Sequence, residues 1–327
     1  MDIIKVRELK KTYTTYERSG SFIDSVKSLF IRKAIKVEAL KGISFDVAEG
    51  EILGFLGPNG AGKSTTLKIL TGVLYPSSGD AIVMGYTPWK QRRAYVDNIG
   101  AVFGQKSQLI WDIPAIDSFE MNRAIYSIPK KVYKDRLSTL VELLGAEDCI
   151  YKPTRQLSLG QRMKCEFIMA MLHDPKIVFL DEPTIGLDVI AKDRIREFII
   201  EQNKKGTTFI LTTHDLSDVE RLAKRVIVVN RGEIVYDNTL DSLRRYFGNK
   251  KLVNISSHSP LPDFAPTKGI TVKEAITPCD AVLELDSDVM DFNDLISYVN
   301  AHSQIADITV SSPPIESVIK KLYQKSD

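Results

Sequence analysis

The chain opens on Met1-Asp2-Ile3-Ile4-Lys5-Val6, an alternation with the period of a strand, and the pattern changes at Leu9-Lys10-Lys11-Thr12-Tyr13. Residues 17–36 form an island before strand period resumes at 40–47. In that island Ser21 and Asp24 make a capping-box start. Phe22, Ile23, Val26, Leu29 and Phe30 fall on one helical face bordered by Lys27 and Arg32, which predicts a short amphipathic helix. A turn at Glu49-Gly50 leads to the apolar run 51–56, read as a strand, and then to Ser64–Leu70, read as a helix. Residues 79–103 predict further short strands, and the run Gly100–Gln105 closes them. After a loop at Trp111 and Pro114, helical period continues through residue 145.

Two continuous apolar runs, Ile177–Leu180 and Thr208–Thr212, have strand length and are bracketed by helical patterns at 161–172 and 189–203. Runs without alternation belong to strands covered on both faces, so a parallel sheet sandwiched by helices is expected. A last strand at Arg225–Val229 turns at Arg231-Gly232 into Glu233–Tyr236. Beyond about residue 248 the character shifts. Strand-like 270–276, 281–286 and 305–310 are interspersed with helices carrying Phe292, Leu295, Ile296 and Val299, and Ile315, Val318, Ile319 and Leu322. The expected domains are 1–248, with a mainly helical insertion at about 106–172, and a small α+β domain at 249–327.

Composition adds exclusions. With 327 residues, 43% of them hydrophobic and 26% charged, the chain is of globular type, and its net charge of +2 gives no argument for a nucleic-acid partner. Cys149, Cys165 and Cys279 are odd in number and far apart, and His173, His214, His258 and His302 do not cluster. Neither a disulfide framework nor a zinc site is expected. No apolar stretch approaches the roughly 18–20 residues that cross a bilayer, and no signal peptide is read at the N-terminus. If the protein serves a membrane process, another polypeptide supplies the membrane part.

The chemistry centres on Gly57-Pro58-Asn59-Gly60-Ala61-Gly62-Lys63-Ser64, which fits the phosphate-binding loop G-x-x-x-x-G-K-[ST] between a strand and a helix. Glycines turn successive N–H groups into one concavity at a helix N-terminus, so a nucleoside triphosphate is the natural guest. Lys63 reaches the β- and γ-phosphates, and the hydroxyl of Ser64, with Thr65 beside it, is placed for Mg²⁺. Asp181 and Glu182 end the apolar strand at 177–180, where ligands of parallel α/β sheets bind. Asp181 is expected to hold Mg²⁺, and Glu182 to orient and deprotonate the water attacking the γ-phosphate. Ser158 and Gly160 sit where a helix begins and offer a hydroxyl, N–H groups and a positive dipole end to a phosphate.

At this point the sequence resembles the ATP-binding cassette family, the ATPase subunits of ABC transporters, over roughly residues 3–237. Tyr13 matches the family's adenine-stacking aromatic residue and Gln105 the glutamine that links Mg²⁺ to the helical insertion. Leu157-Ser158-Leu159-Gly160-Gln161 resembles the family signature, Gly186-Leu187-Asp188 the loop after the Mg²⁺-binding carboxylates, and His214 the γ-phosphate sensor. Leu159 departs from the family, which usually has glycine there. Because Ser158 and Gly160 are retained, competence is expected to survive.

The resemblance implies a P-loop NTPase fold of the α/β class: a cassette with a parallel-sheet core, a β subdomain and a helical insertion. It further implies ATP and Mg²⁺ as ligands, and hydrolysis coupled to movement of integral-membrane permease subunits at the cytoplasmic face of the cell membrane. The signature of one subunit completes the ATP site of another in this family, so a second ATP-binding subunit is expected, most simply a second copy. The island at 17–36 and the run Phe103–Gln108 look like bacterial exporter subunits for drugs, lipids or polysaccharides. The competing readings are a polysaccharide or lipid exporter ATPase and a soluble, non-transport cassette ATPase. A GTPase is disfavoured because no N-K-x-D occurs.

Overall fold

The computed structural model describes residues 1–16, 34–104, 106–213, 215–245, 249–264, 267–312, 317–319 and 322–323. They divide into two units, Met1–Asp237 and Asn238–Asp327, so the division falls ahead of the boundary expected at 248.

In the first unit, β1 (Asp2–Tyr16) and β2 (Ala34–Ala48) pair antiparallel from Asp2 opposite Ala48 to Tyr16 opposite Ala34. After β3 (Ile52–Leu56), β4 (Ser78–Val83) adds to the other edge of β1, giving a sheet of order β2-β1-β4. Ile4, Val6 and Leu9 on β1, Ile43, Phe45 and Val47 on β2, and Ala81 and Val83 on β4 are buried, which is the one-sided face their alternation encodes. The strand pair continues past that face. From Lys11 to Thr15 and from Ile35 to Ala39 no residue is buried, so the two strands are held by their backbone ladder where no core imposes an apolar pattern. The strand reading that stopped near Tyr13 is thereby extended to Tyr16. Residues 34–36 of the expected helical island belong to β2, and residues 17–33 lie outside the described residues.

The second sheet joins β5 (Ile99–Phe103), β6 (Ile177–Asp181), β7 (Thr208–Thr212), β3, β8 (Arg225–Asn230) and β9 (Glu233–Thr239) in the order β5-β6-β7-β3-β8-β9. Its first five strands are parallel, as the continuous apolar runs require. Among the described residues of this unit the α-helices are α1 (Lys63–Leu70), α2 (Arg92–Val96), α3 (Ala115–Ile125), α4 (Lys130–Leu144), α5 (Leu159–Met171), α6 (Val189–Lys204) and α7 (Leu216–Leu222). The rings of Phe45 and Phe55, 5.5 Å apart, join the two sheets, and Phe167 of α5 meets Phe198 of α6 edge-on at 5.7 Å. Helix α2 corrects the strands-only reading of 79–103. It buries only Tyr95, whose hydroxyl donates to the Leu70 carbonyl at 2.6 Å, and five residues are too short to display a period.

The second unit holds α8 (Leu240–Arg245), β10 (Lys250–Ser257), β11 (Ile270–Thr277), β12 (Asp280–Asp286), α9 (Phe292–Asn300) and β13 (Ile305–Ser311). The four strands form an antiparallel sheet of order β11-β12-β10-β13. Val253, Ile255, Leu283 and Leu285 pack on one face with Leu295 and Val299 of α9. Strand β10 is an addition to the sequence reading. Ile315 of the expected final helix lies outside the described residues, while 317–319 and 322–323 are helical. Among the described residues no helix is long and apolar enough to cross a membrane.

Candidate active site

The loop between β3 and α1 is threaded through gaps that admit no side chain. A Cβ on Gly57 would lie 2.4 Å from the Val229 carbonyl oxygen. One on Gly62, at φ 111°, would lie 2.6 Å from that of Ala39. Helix α1 starts directly after Gly62 with no side-chain cap, so its first N–H groups are left for a ligand. Lys63 is 5% exposed, and its ammonium donates to the loop's own carbonyls, Gly57 O at 2.6 Å and Pro58 O at 3.1 Å. Burial holds its pKa below the ordinary lysine value, against the opposing pull of the Glu182 and Asp181 carboxylates.

The end of β6 brings the acidic residues to this loop. Ser64 Oγ donates to Asp181 Oδ1 at 3.0 Å, and Thr212 Oγ1, from the end of β7, donates to the same oxygen at 2.6 Å. Glu182 follows with φ 52°, a left-handed backbone at a non-glycine residue, and its N–H donates to the Thr212 carbonyl at 3.0 Å. A cleft of about 660 Å³ is lined by Asn59, Ser64, Asp181 and Glu182, with Lys68 and Lys106 on its wall. An adjoining recess of about 300 Å³ is lined by Gly60–Thr65 and Val37, and Glu182 borders both. Tyr13 stands opposite Val37 in the β1–β2 ladder, hence on the same face; the residue is 36% exposed, and the Lys11 ammonium lies 5.3 Å from its ring centroid.

The signature is built differently. Ser158 caps α5 in a reciprocal box: its hydroxyl accepts from Gln161 N at 3.2 Å, and Gln161 Oε1 accepts from Ser158 N at 3.0 Å. Asp188 caps α6, accepting from Ala191 N at 2.9 Å. A Cβ on Gly160 would meet that of Ala191 at 3.2 Å, and one on Gly186 would meet Leu159 Cδ2 at 3.0 Å, so the two helix starts pack together. The structure thus unites Lys63, Ser64, Asp181 and Glu182. Ser158, Gly160, Gln161 and Asp188 line neither phosphate-loop cleft. Gln105 and His214 lie outside the described residues.

Around position 214 the described residues form a charged network. Lys192 donates to Asp215 Oδ2 at 2.5 Å and Ser217 Oγ to Oδ1 at 2.6 Å. Burial works against the Asp215 carboxylate, but these bonds hold its pKa down at about 2. Arg196, 8% exposed at its side chain, pairs with the fully buried Asp218, whose other oxygen accepts from Thr184 Oγ1.

A family model described as ABC transporter matches residues 40–185. Over 207 residues the chain is 32% identical to the ABC transporter ATP-binding protein NatA of Bacillus subtilis, covering 63% of this chain and 84% of that one. The chain belongs to the ABC transporter ATP-binding proteins. This ATPase is also 31% identical over 221 residues to the energy-coupling factor transporter ATP-binding protein EcfA of Methanocaldococcus jannaschii, covering 67% of this chain and 79% of that one. Its fold matches a solved ATP-binding subunit of an ABC transporter at a TM-score of 0.62 with 25% identity, over 75% of this chain and 93% of that one. The fold likewise matches a dimeric post-hydrolysis cassette, MJ0796, bound to ADP and Pi, at 0.61 with 23% identity, over 72% and 98%. As a member of this family the ATPase binds and hydrolyses ATP.

Three residues of the ATPase escaped the sequence reading. Thr212 shares Asp181 with Ser64. Gly104 donates its N–H to Asp181 O at 2.9 Å, and a Cβ there would lie 2.5 Å from Glu182 O, so only glycine fits this close against the end of β6. Glu166, buried on α5, binds the segment after Gln105. The strand-end threonine is visible in sequence as a polar stop to an apolar run, whereas Glu166 hides as the third of three charged residues in its helix, after Arg162 and Lys164.

Proposed function

We propose that two copies of this ATPase close head to tail on two ATP molecules and power export through separate permease subunits at the cytoplasmic face of the membrane. The observation that carries this reading is the separation of two half-sites on one chain: a phosphate cleft with Lys63, Ser64, Asp181 and Glu182, and a capped signature that borders no part of it.

When the triphosphate enters, Lys63 exchanges its two loop carbonyls for the β- and γ-phosphates, a trade that favours binding because the buried ammonium gains full counter-charges. Ser64 and Asp181, already in contact, are the oxygen donors suited to Mg²⁺, which supplies charge neutralisation when bound. Glu182 takes the proton of the attacking water as the water oxygen bonds to the γ-phosphorus and the bond from that phosphorus to the β–γ bridging oxygen breaks, so ADP leaves with the bridging oxygen and inorganic phosphate is the other product. Tyr13 stacks on adenine, while Gln105 and His214 sense the metal side and the γ-phosphate. Ser158, Gly160 and Gln161 of the second copy close the site with a hydroxyl and a helix N-terminus.

Export is supported by the Phe103–Gln108 run and its likeness to exporter subunits. The similarity to EcfA favours a second reading, service to an energy-coupling factor transporter. Purification of the Glu182→Gln chain from membranes decides among these. The expected result is an ATP-dependent dimer carrying a multi-span permease, with hydrolysis reduced by about a hundredfold or more. Vesicles made with the native complex then accumulate or release substrate and give the direction. A chain that stays monomeric with ATP and brings down no membrane protein overturns the proposal.

A further inference from the structure

Helix α5 carries a carboxylate among apolar neighbours. Glu166 is 2% exposed, between the fully buried Cys165 and Phe167, two turns beyond the Ser158 cap. Ser107 Oγ donates to its Oε1 at 2.5 Å, and the Gln108 N–H is shared between Oε1 at 3.0 Å and Oε2 at 3.1 Å. The Leu109 N–H donates to Ser107 Oγ at 3.2 Å, and Arg162 acts on Glu166 only through its field. Burial raises the Glu166 pKa, and those donors oppose the rise.

The same short segment is fastened to the core sheet. Gln108 Nε2 donates to the Ala101 carbonyl of β5 at 2.5 Å, and Lys106 N donates to Phe103 O at 2.9 Å. Just upstream, Gly104 N–H is bonded to Asp181 O. Residues 107–109 therefore form a strap from the end of β5, beside the Mg²⁺-side carboxylate, to the helix whose first turn presents the signature. A buried carboxylate is tolerated only while donors satisfy it. Nearly all of its donors sit on this strap, so strap and helix stay joined or the carboxylate loses its partners.

We infer that Glu166 is a positioning residue that locks the strap Ser107–Leu109 to the signature helix, so that displacement at the nucleotide end of the strap is delivered to Ser158 and the face it offers a second copy. The inference rests on the two-site dimer proposed above. It also accounts for an ionisable residue held where packing alone would favour an apolar one.

The test uses the full chain, with turnover measured in the native background and ATP-dependent dimerisation in the Glu182→Gln background. Glu166→Gln keeps the shape but turns a donor toward the strap amides. We expect kcat to fall about tenfold and the protein concentration needed for dimerisation to rise about tenfold, the cost of a charge-assisted hydrogen bond. KM for ATP stays within about twofold. Ser107→Ala leaves α5 untouched and shifts the same quantities in the same direction, so it decides the matter if Glu166→Gln fails to fold. Hydrogen exchange at Gln108 and Leu109 should speed up in both variants while the phosphate loop keeps its protection on ATP binding. Native kcat and native dimerisation in the folded variants, beside an intact Glu182→Gln dimer, overturn the role of Glu166 and leave the two-site reading standing. No dimer of Glu182→Gln with ATP overturns both.

Discussion

The phosphate loop and the signature are both helix N-termini, yet they are finished in opposite ways. At α1 no side chain caps the helix, the lysine is buried, and glycines are wedged against the Val229 and Ala39 carbonyls. At α5 the cap is complete within the chain, and the surroundings are open: Leu159 is 37% exposed, Val189 73% and Ile190 83%. The first end has donors waiting inside a cleft of its own. The second ties its Ser158 and Gln161 N–H groups into its own cap and keeps apolar surface beside them, which suits a group that must be stable before its ligand arrives on another molecule.

Breaking the first half-site should have the largest effect. Lys63→Ala removes the buried ammonium, and nucleotide titration is expected to show a loss of ATP affinity of more than about a hundredfold, because charge-assisted contacts to two phosphates go together. Native affinity would show that the loop does not hold the triphosphate. Ser158→Arg breaks the other half. The isolated chain should bind ATP within about twofold of native, while turnover falls by about a hundredfold, as for removal of an oxyanion-type donor. Loss of ATP affinity in the Ser158→Arg monomer would mean that the two regions are not separate sites.

The two regions also differ in how readable they were. The phosphate loop, Asp181 and Glu182 are local: a strand, a turn and a helix in one stretch encode their geometry, and the parallel core shows as apolar runs because both faces are covered. What escaped lies where the local pattern carries no information. The outer part of β1 and β2 has no buried face, α2 has one buried residue, and β10 offers only Val253 and Ile255 to its core amid polar neighbours. The Glu166 strap is a contact across 58 to 59 positions, which no spacing rule reaches.

A smaller effect is expected where α6, which starts at the signature side, meets the segment after β7. The Asp215 carboxyl sits at about 2, below its ordinary value, so its bonds to Lys192 and Ser217 add stability above the unfolded carboxyl pKa and lose it as pH falls toward about 2. Lys192→Met should cost about 1 kcal/mol at neutral pH, after allowing for partial exposure. Thermal unfolding of the two proteins should then converge as pH is lowered from about 4 toward 2. A gap that is constant across that range would assign the loss to packing of the lysine stem.

The smallest effect belongs to Leu159, where the family usually has glycine. Its side chain reaches within 3.0 Å of the position a Cβ on Gly186 would take, and the remaining 37% faces outward beside Val189 and Ile190. If the second copy covers this patch, Leu159→Gly removes part of the apolar area buried on closure, and the protein concentration needed for the ATP-dependent Glu182→Gln dimer should rise about threefold. The glycine also lies in the first turn of α5, so the monomer should lose a few tenths of a kcal/mol, visible as a small drop in Tm without ATP. Measuring Tm and dimerisation together keeps these apart, since helix loosening lowers both and loss of interface area moves dimerisation further. A tighter dimer in Leu159→Gly would reverse the reading: the leucine would then be an obstacle to backbone approach at the signature, and the exposed Val189 and Ile190 would lie outside the closed face.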